Sequence, residues 1–280
     1  MGIYYPYYWG WSRNIILLGW AILSTEYRNK NYVSLLNTLD LINNDITINN
    51  SLSNSKAKVY TESSFDKKSM GYKTKVSLNN STVVENILNN RNKKLCTLIL
   101  SSGIINNNSG LDDSQEASAY RASTLYKLVD NSYCLREYYS LNKKSKNIKT
   151  DNCLYVSNVL FFKDNNDIIL GEKNKTYSDI IISCPPDLSK DSISSNDLYR
   201  IVYNRLKRVF NAAIDNNGET LILGAYGCGR AENSPEVVSK VFKRLLNEYD
   251  GYFKEVIFAI KSKNEFDINF STFKKNIIEQ

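Results

Sequence analysis

The run 220–235, Thr-Leu-Ile-Leu-Gly-Ala-Tyr-Gly-Cys-Gly-Arg-Ala-Glu-Asn-Ser-Pro, constrains the fold more than any other stretch of the sequence. Its first part, 220–224, is an apolar run that ends at a glycine, which is typical of a buried strand. At its other end, Ser234 offers a side-chain oxygen that can cap a helix, and Pro235 suits the first helical position. The run therefore predicts a strand, a loop and a helix in that order.

The loop between these two elements contains Gly224, Gly227 and Gly229. Glycine lets the backbone take positive φ and approach a bound molecule closely. Loop amides and a helix N-terminus that point the same way make a site for an anion, most often a phosphate. The alternative interpretation is an ordinary tight connection between a strand and a helix.

Two motifs give these features a family context. Leu-Gly-Ala-Tyr-Gly-Cys-Gly at 223–229, with Asn-Ser-Pro at 233–235, resembles the second phosphate loop of the microbial-type poly(ADP-ribose) glycohydrolases. That family has the macrodomain fold and usually carries Leu-Gly-Ala-Trp-Gly-Cys-Gly, with Asn-Asp-Pro a few residues on. Gln-Glu-Ala-Ser at 115–118 is similar to the family's Gln-Glu-Glu signature helix. The residues that follow this helix motif at the family's spacing are Arg121, Ser123, Leu125 and Tyr126. The resemblance covers 12–262.

The rest of the chain alternates strands with long helices. The segment 196–215 is the clearest helix, because its apolar residues keep to one face at helical spacing. The other predicted helices are 13–27, 82–89, the signature helix from 115, and 235–249. The predicted strands are 31–36, 57–61, 72–77, 96–102, 153–162, 179–184, 220–224 and 255–260, and 41–56 is predicted to be a surface loop. This alternation predicts an α/β protein, a three-layer α/β/α sandwich, and the resemblance implies a macrodomain-like sandwich with a mixed central sheet. We expect one domain over 1–280, with an aromatic arm at 1–11 and an unassigned tail at 266–280.

Composition excludes several kinds of chemistry. The chain has no histidine, which excludes Ser-His and Cys-His nucleophilic pairs and any histidine-ligated metal site. Its five cysteines are scattered without the CxxC spacing of a zinc site: Cys96, Cys134, Cys153, Cys184 and Cys228. We therefore expect a reduced, intracellular protein, cytoplasmic or nuclear, with no metal and no cofactor.

The net charge of +7 bears on partners. A basic excess would suit a polyanion, yet a lysine-biased composition gives the same charge without any partner, so nucleic-acid binding ranks last. The apolar run 15–23 is too short to span a bilayer, and no membrane association is predicted. The sequence gives no oligomeric state.

The resemblance implies a site for ADP-ribose at the carboxyl ends of strands 96–102 and 220–224, beside Gln115 and Glu116. The diphosphate would be held by the loop that begins at Gly224, and we expect its contacts to be the amides of Gly227, Cys228 and Gly229. Tyr226 stands where the family has tryptophan, either as support or stacking partner for the loop or as a core aromatic.

Three departures from the family pattern lie at this site. Family members protonate the leaving oxygen with the second glutamate of Gln-Glu-Glu, and this position is Ala117, whose methyl group cannot transfer a proton. Glu116 matches the first glutamate, which in the family mainly binds ribose hydroxyls. The family's first glycine-rich loop is replaced by Ile-Ile-Asn-Asn-Asn at 104–108, and the aromatic residue that normally follows the second loop is Ala231.

Three functions remain open. The first is a module that binds ADP-ribose, a related nucleotide or an ADP-ribosylated protein, with hydrolysis lost or much reduced. The second is a working hydrolase in which Glu116 serves as the acid; Asp112 and Asp113 are further candidate carboxylates, although turn and cap roles are favoured for both. The third is a structural or interaction protein with a vestigial cleft. An open cleft beside Gly227 would favour binding, whereas isoleucine side chains from 104–105 filling it would favour the third function.

Overall fold

A computed structural model describes residues 30–61, 67–106, 108–262, 264 and 267–279. The aromatic segment 1–11 and the predicted helix 13–27 lie outside the described residues. Seven strands form one sheet in the described part: β1 (Ala57–Tyr60), β2 (Lys75–Asn79), β3 (Leu95–Leu100), β4 (Cys153–Phe161), β5 (Thr176–Ser183), β6 (Thr220–Leu223) and β7 (Glu255–Ala259). The strands predicted from 57 onward are therefore confirmed.

The order of strands across the sheet is β1-β4-β5-β3-β6-β7-β2. β5, β3, β6, β7 and β2 run parallel to one another, whereas β4 pairs antiparallel with both β1 and β5 at one edge. The predicted mixed sheet is confirmed. Because β3 and β6 are parallel neighbours, the loops that follow them leave the sheet at the same edge.

Helices cover both faces of the sheet. In β6, Leu221 and Leu223 face one core while Ile222 faces the other, as the two-residue period of a strand requires. The first core packs α8 (Ser195–Asp215), α9 (Pro235–Glu248) and α10 (Ile268–Phe273). The second packs α3 (Val83–Asn89), α4 (Gln115–Ala122), α5 (Leu125–Val129) and α6 (Ser132–Cys134), which continues through a π-helical turn (Leu135–Tyr139) into α7 (Ser140–Lys144). The result is the predicted three-layer α/β/α sandwich.

The two long helices begin where the sequence predicts. The Ser194 side chain accepts a hydrogen bond from Asp197 N at the start of α8. The Ser234 side chain does the same for Val237 N at the start of α9, with Pro235 in the first turn. These caps satisfy amides that have no partner inside a helix.

The predictions for 31–36 and 41–56 are wrong. Residues 30–44 form a helix, α1, and α2 (Ile46–Ser51), capped by the Asp45 carboxylate, follows with a 3₁₀ turn (Leu52–Asn54). The buried stripe of α1 has helical spacing but mixes apolar with polar residues: Asn31, Ser34, Leu35, Thr38 and Ile42. Buried polar groups need partners, and here Thr38 Oγ1 receives a bond of 2.8 Å from the buried ammonium of Lys163. Because polar residues occupy part of the buried stripe, the apolar residues of α1 do not show the helical period in the sequence.

In the segment left unassigned at 266–280, the described residues 267–279 pack against the sandwich. α10 and a π-helical turn (Lys274–Ile278) place Phe273 against Phe242 and Phe258, with ring centroids 6.0 and 5.8 Å away. Asn269 Nδ2 donates to the carbonyl of Cys228 at 3.3 Å. This helix therefore supports the glycine-rich loop from outside. Within the described ranges, no helix combines the length and apolarity that a membrane span needs.

Candidate functional site

A cleft of about 590 Å³ lies where the loops after β3 and β6 leave the sheet. One wall is lined by described residues of the loop after β3 (101–106 and 108–114), and the other by residues of 225–231 after β6. Pro185 and Asp187, which follow β5, and Lys149 also line the cleft. Ligands of open α/β sheets bind in this position, outside the carboxyl ends of the strands. The cleft is therefore the candidate site.

The loop after β6 turns sharply at Gly227. Its φ is +73°, and a Cβ placed there would lie 1.8 Å from Asn233 Nδ2. The amide of Asn233 donates back to the Gly227 carbonyl at 3.0 Å, which closes the loop before α9 begins. Gly227 and Gly229 both line the cleft. The loop backbone thus faces the cleft directly, with no side chain between.

Three other residues of this loop lie behind the cleft wall. Gly224 packs against the signature helix, where a Cβ added to this glycine would lie 3.4 Å from Gln115 Nε2. The amide of Cys228 donates to the Ala225 carbonyl at 3.1 Å and so serves the turn itself. Tyr226 is fully buried, and its hydroxyl lies 2.7 Å from Ser183 Oγ. Of the two roles considered for Tyr226, the geometry favours a core aromatic that supports the loop. A ligand contact by these three residues stays a prediction.

The signature helix α4 joins the two walls. Ser114 caps it by accepting a bond from Ala117 N at 3.1 Å. The Oε1 of Gln115 accepts a bond of 2.8 Å from the amide of Leu100, at the end of β3, while its Nε2 lies beside Gly224. Ala117 lines the cleft with its methyl group and is nearly fully buried. No proton-transferring group stands at this position.

Glu116 is a buried carboxyl beside the cleft. Its Oε1 accepts bonds from the hydroxyls of Tyr120 at 2.9 Å and Tyr139 at 3.4 Å. Burial raises the pKa of Glu116 to about 7, although hydrogen bonds from Ser101 and Tyr120 act in the opposite direction. A carboxyl with this pKa is partly protonated at neutral pH, which is a requirement for a general acid. Its oxygen, however, is engaged by tyrosine hydroxyls.

The altered loop after β3 leaves the cleft open. Gly103 has φ +73°, and a Cβ there would meet Asn142 Cβ at 2.8 Å and Cys184 Sγ at 2.9 Å, so this glycine lets the loop pack closely against the protein interior. Ile104 lies on the cleft wall and is 39% exposed, while Ile105 packs into the second core. Neither side chain fills the cleft.

The sequence predicted Asp112 as a further carboxylate, but it did not predict the basic residues of the rim, Arg230 and Lys149. Arg230 Nη1 lies 2.9 Å from Asp112 Oδ2, which joins the two walls. Lys149 reaches the cleft because the buried guanidinium of Arg205 binds the carbonyls of Ile148 and Lys149. Of these two basic residues, only Arg230 could have been suspected from the sequence, because it follows the last glycine of the loop directly. Among the described residues, no group of three carboxylates or cysteines is placed to hold a metal ion.

The sequence matches no protein-family model, and no curated protein is similar enough to it to count as a relative. Solved structures do match. The poly(ADP-ribose) glycohydrolase of Thermomonospora curvata superposes with a TM-score of 0.77 at 18% identity, over 89% of this chain and 99% of that one. The Deinococcus radiodurans enzyme in complex with ADP-ribose gives 0.67 at 24% identity, over 74% and 84%. This chain therefore has the fold of the microbial poly(ADP-ribose) glycohydrolases, a macrodomain-like α/β/α sandwich.

Proposed function

We propose that this protein binds ADP-ribose, free or attached to a protein, and that it has lost most or all hydrolysis. The observation that carries the proposal is the combination of an open cleft, lined by Gly227 and Gly229, with a methyl group at Ala117. Support comes from the solved structure of the Deinococcus radiodurans glycohydrolase, which has the same fold and is a complex with ADP-ribose.

Binding and hydrolysis make different demands on this site. A diphosphate needs donors that can approach it closely, and the loop after β6 lines the cleft with Gly227 and Gly229, whose backbone carries no side chain. Cleavage of a glycosidic bond also needs a positioned acid to protonate the leaving oxygen. The side chain at Ala117 has no such proton. The site therefore supports the proposal of binding and gives no support to hydrolysis through the position of Ala117.

The test is calorimetric titration of the purified protein with ADP-ribose, together with an assay for ADP-ribose release from poly(ADP-ribose). We expect micromolar binding and no release by the native protein, and release by Ala117→Glu. Ala231→Glu is the matched control, because it adds a carboxylate to the cleft wall at another position. Absence of binding by the native protein would refute the proposal. Release by the native protein would refute the loss of hydrolysis.

A second candidate function is hydrolysis with Glu116 as the acid. It is favoured by the raised pKa of Glu116, about 7, and opposed by the bonds that Tyr120 and Tyr139 donate to its Oε1. If the native protein releases ADP-ribose and Glu116→Gln does not, this function replaces the first. The third function, an interaction protein with a vestigial cleft, is disfavoured because Ile104 leaves the cleft open.

We further propose an intracellular setting, in the cytoplasm or nucleus, for the binding of ADP-ribose or an ADP-ribosylated protein. The support is that all five cysteines are free and four of them are buried, since free thiols persist in reducing compartments.

A further inference from the structure

An ion pair spans the rim of the cleft. Arg230 follows the last glycine of the loop after β6, and Asp112 lies in the loop before α4, 118 residues earlier in the sequence. Arg230 Nη1 donates to Asp112 Oδ2 at 2.9 Å, and both residues line the cleft. The pair therefore sits where a bound molecule would contact both loops.

Asp112 keeps its position without help from Arg230. Its Oδ1 accepts bonds from the Ser114 amide at 3.1 Å and from the Ser114 hydroxyl at 2.6 Å. Its carbonyl oxygen accepts a bond of 2.9 Å from Arg121 Nη1. The loop before α4 is thus fixed by contacts that remain if the guanidinium of Arg230 moves away.

Arg230 is held much less firmly. Its side chain is 77% exposed, and Asp112 is its partner in the described structure. Exposed ion pairs contribute little to stability, because water screens the attraction and ordering two side chains costs entropy. A phosphate group can accept two parallel charge-assisted hydrogen bonds from a guanidinium, whereas Asp112 accepts one from Arg230 because its other oxygen is bonded to Ser114. A diphosphate in the cleft would therefore compete well with Asp112.

We propose that Arg230 is a specificity-determining residue for phosphate groups in this cleft, and that a diphosphate ligand takes its guanidinium from Asp112. The inference rests on the proposed ADP-ribose binding and adds a side-chain contact to the backbone contacts of the loop. Asp112 then acts as a competitor that keeps Arg230 at the rim in the empty site. A static brace between the two loops is the opposing explanation.

The two explanations predict opposite signs for one variant. If Arg230 moves to the ligand, Arg230→Ala weakens ADP-ribose binding roughly tenfold, as expected for loss of a charge-assisted hydrogen bond. Asp112→Asn frees Arg230 and tightens binding roughly threefold, the strength of an exposed ion pair. If the pair is a brace, both variants weaken binding. Arg230→Lys keeps the charge without the two-pronged geometry and should fall between native and Arg230→Ala.

The experiment is calorimetric titration of these variants and of the double variant with ADP-ribose. The gain from Asp112→Asn must vanish in the Arg230→Ala background, because the freed guanidinium is then missing. If Asp112→Asn still tightens binding in the Arg230→Ala background, the gain comes from the loss of a negative charge at the cleft and not from Arg230, and the proposal is overturned. Lys254 and Glu219 form a remote exposed pair at 2.7 Å, so Lys254→Ala and Glu219→Gln are controls that match the changes in charge. We expect both controls to leave the affinity within twofold.

Inorganic pyrophosphate serves as a second probe and separates the two proposals. If the native protein binds pyrophosphate but not ADP-ribose, and the variants keep their predicted order, the proposed function fails while the role of Arg230 stands. If ADP-ribose binds and Arg230→Ala binds it equally well, the role of Arg230 fails while the proposed function stands. If neither probe binds, both are overturned. Thermal melting of each variant checks that it is folded.

Discussion

Gly227 is the position where a single methyl group should damage the site most. In Gly227→Ala the new Cβ would lie 1.8 Å from Asn233 Nδ2 and 2.7 Å from Pro185 Cβ. The left-handed φ of +73° adds a cost of about 1 kcal/mol for a residue with a Cβ. Overpacking of a buried contact typically adds about 1–3 kcal/mol. We expect the free energy of unfolding to fall by roughly 3 kcal/mol.

Gly229→Ala is the matched control. A Cβ at Gly229 meets no described heavy atom within 4 Å, although this glycine belongs to the same loop and lines the same cleft. We expect its free energy of unfolding to change by less than about 0.5 kcal/mol. Urea denaturation of both variants measures the difference, and ADP-ribose titration shows whether the loop still binds.

Asn233→Ala provides the decisive comparison. Asn233 is 1% exposed, and within the described structure neither its Nδ2 nor its Oδ1 has a hydrogen-bond partner. Removing this amide breaks no observed hydrogen bond and takes away the atom nearest to the new methyl group. The loss in free energy of unfolding caused by Gly227→Ala should therefore be smaller by at least about 1 kcal/mol in the Asn233→Ala background than in the native protein. Equal losses for Gly227→Ala and Gly229→Ala, or a loss unchanged by Asn233→Ala, would refute this reasoning.

Three further predictions follow from buried groups. The pKa of Glu116 is about 7 in the folded protein and 4.5 ordinarily, so between pH 4.5 and pH 7 the folded state holds a proton that the unfolded state has released. The free energy of unfolding therefore falls as pH rises through this window, by up to about 3 kcal/mol. Glu116→Gln should lack this fall, and urea midpoints of both proteins at pH 5 and pH 8 check it; parallel changes would contradict it. Arg205→Met removes the buried guanidinium that binds the Cys184 carbonyl and Asp151, and it should lower the free energy of unfolding in urea by about 3–5 kcal/mol. Arg200 is exposed, so Arg200→Met should lower it by less than about 0.5 kcal/mol. Cys228 is half-buried, and the partial burial of its thiol raises its pKa to about 12. Iodoacetamide should therefore label Cys228 much more slowly at pH 7 in the native protein than in urea, and equal labelling rates would contradict this prediction.

Apolar periodicity predicted most of the sandwich because the sheet is buried on both faces. Each strand of this kind is a short apolar run, and α8 and α9 have a continuous apolar stripe that a helical period detects. The period fails in α1, where Asn31 and Thr38 are buried. Asn31 Nδ2 donates to the Leu111 carbonyl at 2.9 Å, a partner 80 residues away. Such a partner is fixed by tertiary structure, and no local pattern shows it.

The site was predictable where backbone geometry dictates residue type, and not where distant side chains meet. Gly227 and the cap of α9 follow from local conformation, so the motif at 220–235 located them. The pair of Arg230 with Asp112 depends on β3 and β6 being neighbours, which the order of strands in the sequence does not show. The position of Lys149 depends on Arg205, which approaches from another helix. The Arg230–Asp112 pair and the position of Lys149 could therefore be identified only from the three-dimensional structure.

The contact that Gln115 makes at the base of the cleft has a mechanical consequence. Its Oε1 is bonded to the amide of Leu100 and its Nε2 packs beside Gly224, so one side chain spans the ends of two strands that are already paired. The floor of the cleft therefore cannot widen unless the sheet itself is pulled apart. Ligands of different size must be accommodated by the upper parts of the two loops. The floor therefore fixes the shape of the cleft, whereas any selection by charge falls to the rim, where we propose that Arg230 moves.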